Sequence, residues 1–459
     1  MDSVEFYDEE DYIDQCQDHL EQDIDQEYEF EYEQETLTEL YDLCLKPTFI
    51  QTVEHFIPLL AVSVLYKIIS QSSFIPNRMK HGASIVIGLL ILRHYVPESL
   101  HLLSIFVVIS NIYLYLPKKY RHGFGVFIPS IIIILYCELY LDPVSWHKIR
   151  SVLMIAVMKE ISVAIDQNEK NERPSFLEYI GYLFCPITSI FGPWTSFKDY
   201  AEFDRQQSWN LRWILKSVGY FILSLVFLNM SNCGCSWIIS DNSGKWLLAY
   251  RDALSFRMSH YFISSLSSSF LLLGGFSENL ISITKPVEIE FPRSLVQVVI
   301  SWNIPMHTWL KIYIFRPGRR EFGKFGGILL TYLASSLLHG LNFQLAAVLL
   351  SLGFYTYIEF QLRAVLSTTL SACISSKKCP KNQCQHEKNS SNCWWVTGVN
   401  IGFSTLAMFH LAYLGLMFDT SETQETGYSY LHTLEKWSKL GYSSHWIAFA
   451  TYCAYFLIR

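Results

Sequence analysis

The chain has 459 residues, 51% of them hydrophobic and 15% aromatic, and carries a formal net charge of −7 at pH 7. Its mean hydropathy is positive. This balance excludes an ordinary soluble domain and gives no reason to expect a nucleic-acid partner. Eleven cysteines spread over the whole length also exclude the dense framework of a small disulfide-stapled secreted domain.

The charge is unevenly placed. Residues 1–45 hold eighteen Asp or Glu and no Lys or Arg, which leaves 35 basic against 24 acidic residues in 46–459, a net of +11. Asp8-Glu9-Glu10-Asp11 and the alternating Glu27, Glu29, Glu31, Glu33 and Glu35 read as a disordered, solvated acidic tail over 1–45, dispensable for chemistry, ahead of a membrane domain over 46–459.

Apolar blocks then recur at 49–69, 82–97, 100–116, 123–141, 147–165, 211–229, 258–276, 295–313, 325–339, 341–360, 397–418 and 443–458. They predict an all-α polytopic membrane protein with about eleven transmembrane helices plus re-entrant or interfacial ones. The block 147–165 carries Arg150, Lys159 and Glu160, so it is expected at the interface or as a re-entrant segment. Lys67, Arg78 and Lys80 follow the first block, and Lys118, Lys119 and Arg121 follow the third. Both groups fall on the cytosolic side by the positive-inside rule. The amino terminus is then lumenal, with the first block as an uncleaved signal anchor.

Farther along, Gly192-Pro193-Trp194 lies on a short apolar segment suited to re-entry, and Cys185 reads as a buried free thiol ahead of a lipidated one. Ser259, His260 and Tyr261 form a polar patch in the 258–276 block. In Trp302-Asn303-Ile304-Pro305-Met306, the proline removes a donor and disfavours helix at Ile304, predicting a bend near Asn303. Irregular backbone at membrane depth lines an enclosed cavity. Asn303 either projects its amide there or caps the next helix.

The run Phe325 to Ile358 has no Asp, Glu, Lys or Arg. As one helix its ~34 residues would span ~51 Å, against a hydrocarbon core of ~30 Å. A break is therefore predicted, at Gly340-Leu341-Asn342, leaving the His339 imidazole at membrane depth. Two readings stand side by side: a chemical role for His339, or Ser335, Ser336, His339 and Asn342 serving only as interhelical hydrogen-bonding groups. The hydroxyls of Ser335 and Ser336 are expected to bond backbone carbonyls. The later loop KKCPKNQCQHEKNSSNC brings Cys379, Cys384, His386 and Cys393 together in no strong zinc spacing. It reads as an unliganded loop ahead of a disulfide or a metal site. Lys377, Lys378 and Lys381 place it in the cytosol, and Asn389-Ser390-Ser391 is a glycosylation acceptor only if the loop is lumenal.

Several stretches together carry a resemblance: EYIGYLFCPITSIFGPW at 178–194, ALSFRMSHYF at 253–262, EIEFPRSLVQVVISWN at 288–303, WNIPMHTWLKIYIF at 302–315, LASSLLHGLNFQLAAVLLSLGFYTYIEFQLR at 333–363, STTLSACISSKKCP at 367–380 and FHLAYLGLMFD at 409–419. From about residue 47 to the end the chain resembles the membrane-bound O-acyltransferases, in the branch that acylates Wnt proteins. The resemblance implies a helical fold around a central catalytic tunnel in the endoplasmic reticulum membrane. It implies transfer of a palmitoleoyl group from its coenzyme A thioester to a Wnt serine, enabling Wnt secretion and signalling. Wnt proteins, palmitoleoyl-CoA and membrane lipids are the implied partners, and no cofactor or metal is implied.

By the same resemblance, His339 matches the catalytic histidine and Asn303 the polar residue of the companion motif. Their chemistry suits acyl transfer: an imidazole takes the serine proton, and an amide donates to the thioester oxyanion. Direct transfer without an acyl-enzyme is expected. Trp194, Trp302, Met306, Trp309, Ser336, Leu337 and Leu338 are expected along the tunnel, and Ser259, His260 and Tyr261 near the donor or the acceptor. Lys311, Arg316, Arg319, Arg320 and Lys324 form a basic loop that either attracts coenzyme A phosphates or simply obeys the positive-inside bias. The alternatives are a related acyltransferase with another acyl chain or a lipid acceptor, and a polytopic transporter, for which the expected internal repeats are missing.

Overall fold

A computed structural model describes residues 36–116, 125, 127–170, 173–202, 209–340, 342–379, 384, 386–418 and 430–459. Most of the acidic tail, the basic residues Lys118, Lys119 and Arg121, and Leu341 and Lys381 lie outside the described residues. Every regular element of length among those described is a helix.

The first helix, α1 (Leu37–Gln71), begins earlier than its apolar block. Thr36 and Glu39 form a capping box: the Glu39 N–H donates to Thr36 Oγ1 at 3.3 Å and the Thr36 N–H to Glu39 Oε2 at 2.8 Å. Two orphan N–H groups are thereby satisfied and the helix can start. The expected tail boundary at 45 is corrected accordingly, since 37–45 are helical and Cys44 in that turn is bonded to Cys233.

The helices α2 (Asn77–Tyr95), α3 (Ser99–Tyr115), α4 (Ile128–Tyr140) and α5 (Pro143–Lys170) follow, then the short α6 (Phe176–Leu183) and α7 (Phe197–Ala201). Next come α8 (Leu211–Ile238), α9 (Lys245–Leu273), α10 (Pro286–Glu290), α11 (Leu295–Trp302) and α12 (Ile304–Trp309). A π-turn over Leu310–Phe315 leads into α13 (Arg316–Leu338), and the chain ends with α14 (Phe343–Thr369), α15 (Trp394–Gly415), α16 (Tyr430–Lys439) and α17 (Ser443–Ile458). Each apolar block maps onto a helix except 295–313, which is split at Asn303.

Three of the described helices, α1, α8 and α14, are both long and apolar enough to cross a membrane, with α3 and α4 as shorter apolar helices. Only 22–33% of each long apolar window is buried inside the protein. Exposed Ile57, Leu65, Leu215, Ile222 and Val226 make their outer faces the kind of surface that lipid, not water, must cover.

The charged block 147–165 is buried inside the protein instead of lying along its surface. It lies within α5, a 28-residue helix whose Lys159 and Glu160 are both 0% exposed. Lys159 Nζ donates to the carbonyls of Tyr182 (2.8 Å) and Leu183 (3.2 Å) and to Thr188 Oγ1 (2.9 Å), using all three of its N–H bonds. Those carbonyls belong to the last turn of α6, which stops inside the protein and leaves its final carbonyls without the usual helical partners four residues on. The buried ammonium, costly alone, thus satisfies the broken helix whose continuation, 184–194, is the buried non-helical segment holding Gly192-Pro193-Trp194. Glu160 accepts from Ser130 Oγ at 2.7 Å. On the other side, the serine-rich face of α9 lies close to α8: Ser269 donates to the Ser217 carbonyl at 2.9 Å, the small-residue contact that substitutes for a hydrophobic drive in lipid.

Candidate active site

The overlong apolar run breaks where glycine permits it. His339 ends α13 with its N–H on the carbonyls of Ser335 (3.3 Å) and Ser336 (3.1 Å). Gly340 follows at φ +92°, a left-handed step that closes a helix C-terminus cheaply only without a Cβ. Asn342 then caps α14 by accepting the Leu345 N–H at 3.1 Å. The His339 ring, partly accessible, is left at the apex between two apolar helices and bonds none of the described residues.

The apex packs against α4 and α5. A Cβ at residue 340 would fall 2.3 Å from Glu138 Oε2 and 3.3 Å from Trp146 Nε1, so these two side chains occupy the space the glycine leaves. Trp146 Nε1 donates to Glu138 Oε2 at 2.6 Å. The Arg150 guanidinium lies within electrostatic reach of both Glu138 and His339. Sequence reading missed Glu138 and Trp146 and counted Arg150 only as a sign of an interfacial segment. The signal was available: one acidic residue closes the apolar run IIIILYCE, and intramembrane charges seek partners.

Asn303 is reached through a hairpin. The basic stretch expected as a loop is helical instead: Lys311 lies in the π-turn and Arg316, Arg319, Arg320 and Lys324 in α13. Within α13 the chain reverses at Gly323 (φ 72°), and a Cβ at Gly318 would meet Leu330 Cδ2 at 2.8 Å and Gly327 Cα at 3.5 Å. This glycine-on-glycine contact lets the two limbs on either side of Gly323 approach closely. Leu330, Ala334 and Leu338 pack in the same large apolar core as Met306, Trp309 and Leu310. All five basic residues are exposed on the hairpin.

Asn303 takes the capping role expected of it. At φ −145° it caps α12 with Oδ1 accepting the Met306 N–H at 3.0 Å, while its Nδ2 group bonds none of the described residues and keeps its donors. A proton acceptor and an amide donor are the minimum set that acyl transfer to a hydroxyl requires.

A family model described as "MBOAT, membrane-bound O-acyltransferase family" matches residues 136–372. That stretch holds Glu138, Arg150, Asn303 and His339. The chain belongs to the membrane-bound O-acyltransferase family. It is 36% identical over 461 aligned residues, covering 93% of this chain and 98% of the relative, to the human "Protein-serine O-palmitoleoyltransferase porcupine". The protein of the same name from Anopheles gambiae is 38% identical over 69% of this chain and 70% of its own length.

The remaining expected site residues of this family member separate into two groups. Trp194, Met306, Trp309 and Leu338 share the large core, with Leu337 partly buried and Ser336 buried beside them. Trp309 is 1% exposed and donates to the Met158 carbonyl at 3.0 Å, so its role is to lock α12 onto α5. The hydroxyls of Ser335 and Ser336, expected on backbone carbonyls, bond none of the described residues. In the second group, Trp302 and Tyr261 belong to a smaller cluster. Tyr261 is fully buried and donates to Glu290 Oε1 at 2.7 Å, where Arg257 makes a two-pronged contact at 2.8 and 3.1 Å. It is spent on structure and offers no face to a substrate. His260 Nε2 donates to the Trp302 carbonyl at 2.7 Å and its ring lies flat on Trp302, 4.3 Å between centroids. Ser259 is partly buried. Cys185, 1% exposed, is the buried thiol expected.

Proposed function

We propose that this chain transfers a palmitoleoyl group from palmitoleoyl-CoA to a serine hydroxyl of a Wnt protein at the endoplasmic reticulum membrane, with His339 as general base. The observation that carries the reading is the His339 ring itself: at a helix break within an apolar run and bonded to no described residue, in a chain whose second break holds an Asn303 amide with an equally uncommitted Nδ2. The relatives' names supply the acyl group and the serine acceptor.

In the proposed step the imidazole takes the serine proton as Oγ attacks the thioester carbonyl carbon. The oxyanion accepts from Asn303 Nδ2. Collapse breaks the C–S bond, and the coenzyme A thiolate leaves with the proton held on the imidazolium, giving ester and free coenzyme A. No acyl-enzyme is formed, and acyl-CoA is a co-substrate, so no bound cofactor enters. The exposed basic hairpin attracts the coenzyme A phosphates from the cytosolic side, while a secreted acceptor enters from the lumen. A lumenal amino terminus agrees with this arrangement, because the Cys44–Cys233 bridge near it belongs in an oxidising compartment. Met306, Leu337 and Leu338 line the path of the acyl chain toward His339.

The test is direct acylation of a Wnt hairpin peptide by purified protein and tagged acyl-CoA. Label should appear on the serine of the peptide and vanish with a Ser→Ala peptide. Undiminished transfer by His339→Ala, or a covalent acyl group trapped on Ser335 or Ser336, would defeat the reading.

A further inference from the structure

Cys373, Cys379, Cys384 and His386 lie in the segment between α14 and α15, and their ligand atoms all fall within 4.8 Å of one another. Cys373 Sγ is 3.6 Å from Cys379 Sγ, and His386 Nδ1 is 3.6 Å from Cys379 Sγ and 3.5 Å from Cys384 Sγ. A tetrahedral ion with Zn–S of ~2.3 Å and Zn–N of ~2.0 Å holds its sulfurs ~3.8 Å apart and sulfur from nitrogen ~3.5 Å apart. We propose that these four residues form a structural zinc site.

The surroundings favour a metal over a chance meeting of thiols. His386 Nε2 is 2.9 Å from Ser367 Oγ, whose own hydrogen goes to the Ala372 carbonyl at 2.7 Å. Nε2 must therefore donate, which leaves the Nδ1 lone pair directed at the sulfurs; metal-bound histidines are fixed in this way by an outer partner. The backbone carrying the ligands is held before any ion arrives. Arg293 Nη2 donates to the Cys373 carbonyl at 2.8 Å and Asn400 Nδ2 to the same oxygen at 3.2 Å, while the fully buried Arg363 donates to the Ile374 carbonyl at 2.7 Å. An isolated bridge, Ala372 with Lys388, ties the two limbs of the segment together. A Cys373–Cys379 disulfide would use half the set and leave Cys384 and His386 without purpose.

Three thiolates and one divalent ion give a net −1, matched by the neighbouring Lys377, Lys378 and Lys388. Lys311 of the hairpin and Lys377 both lie within electrostatic reach of His307. The site thus shares the basic side, which the positive-inside rule makes cytosolic and where thiols stay reduced. Cys393, counted with this group in the sequence, stands at the start of α15 instead, and Cys373 takes its place.

Full-length protein purified in detergent without chelator is expected to carry one zinc per chain by elemental mass spectrometry. Cys373, Cys379 and Cys384 should resist alkylation until a chelator is added, and cobalt-loaded protein should show the intense visible absorption of a tetrahedral thiolate site. Cys384→Ser and His386→Ala should drop the zinc content toward zero. Cys393→Ser should keep it, and His386→Cys, which supplies another ligand, should keep it in a folded protein. Zinc-free wild-type protein with freely alkylated thiols, a mapped Cys373–Cys379 disulfide, or zinc retained in both Cys384→Ser and His386→Ala would each overturn the proposal.

Discussion

His260 and His339 are both imidazoles carried by apolar helices, and they differ in what their rings do. His260 sits inside α9, where its Nε2 donates to the Trp302 carbonyl at 2.7 Å and its face is stacked on the indole. Through that bond it satisfies a carbonyl orphaned by the break at Asn303. His339 sits at the end of a helix, and its ring bonds none of the described residues. A buried polar group is therefore no mark of chemistry by itself; the informative case is the one whose bonding capacity the fold leaves unused.

The largest effects should separate these two residues. His339→Ala is expected to lower the acyl-transfer rate by about 10²–10⁴-fold, the worth of a positioned general base, with acyl-CoA affinity and thermal stability close to wild type. His260→Ala should instead lower the melting temperature, since a carbonyl loses its donor at a cost of about 1–3 kcal/mol, and reduce the rate only a few-fold. Single-turnover rates with thermal unfolding of the same detergent preparations decide it. A folded His260→Ala protein with no transfer activity would reverse the assignment.

The next effect sharpens the comparison at Asn303, which has one atom of each kind. Oδ1 is used as a cap and Nδ2 is not. Asn303→Asp keeps an acceptor that caps helices as well as asparagine does and deletes the donor. It should fold normally and lose about 10²–10³-fold in rate, the scale of one oxyanion donor. Asn303→Ala should show that loss plus about 1 kcal/mol of destabilisation from the missing cap. Wild-type turnover in Asn303→Asp would leave Asn303 a cap and nothing more.

Much of this arrangement is legible in the sequence where a local rule forces it. An apolar run too long for the membrane must break, and Gly340 and Asn342 mark the place; Pro305 marks the second break. What escaped reading depends on partners distant in the chain. Lys159 and Glu160 look interfacial until Tyr182, Leu183, Thr188 and Ser130 are seen to satisfy them. The basic residues before His339 look like a loop because no local feature but Gly323 announces a helical hairpin. Cys373 joins the thiol cluster, and Cys393 leaves it, through a pairing of Ala372 with Lys388 that sequence spacing does not encode. Thr36 and Glu39 spell a capping box, but the surrounding acidic composition hides it.

The smallest effect tests how the unused ring is aimed. Gly340 is in a left-handed conformation that costs another residue roughly 1–2 kcal/mol, and any Cβ there also collides with Glu138 Oε2 at 2.3 Å. Gly340→Ala should therefore shift the His339 turn away from α4 and lower the rate about tenfold, with less effect on acyl-CoA affinity, since misplacement of a reacting group costs rate before binding. The two causes are separable. Asparagine tolerates the left-handed region yet carries the same Cβ, so Gly340→Asn relieves the backbone strain and keeps the collision. If the Glu138 carboxylate fixes the apex, the two variants lose activity equally. A Gly340→Asn enzyme restored to wild-type turnover would reduce the matter to backbone strain, and the Glu138–Trp146 pair would then have no part in positioning His339.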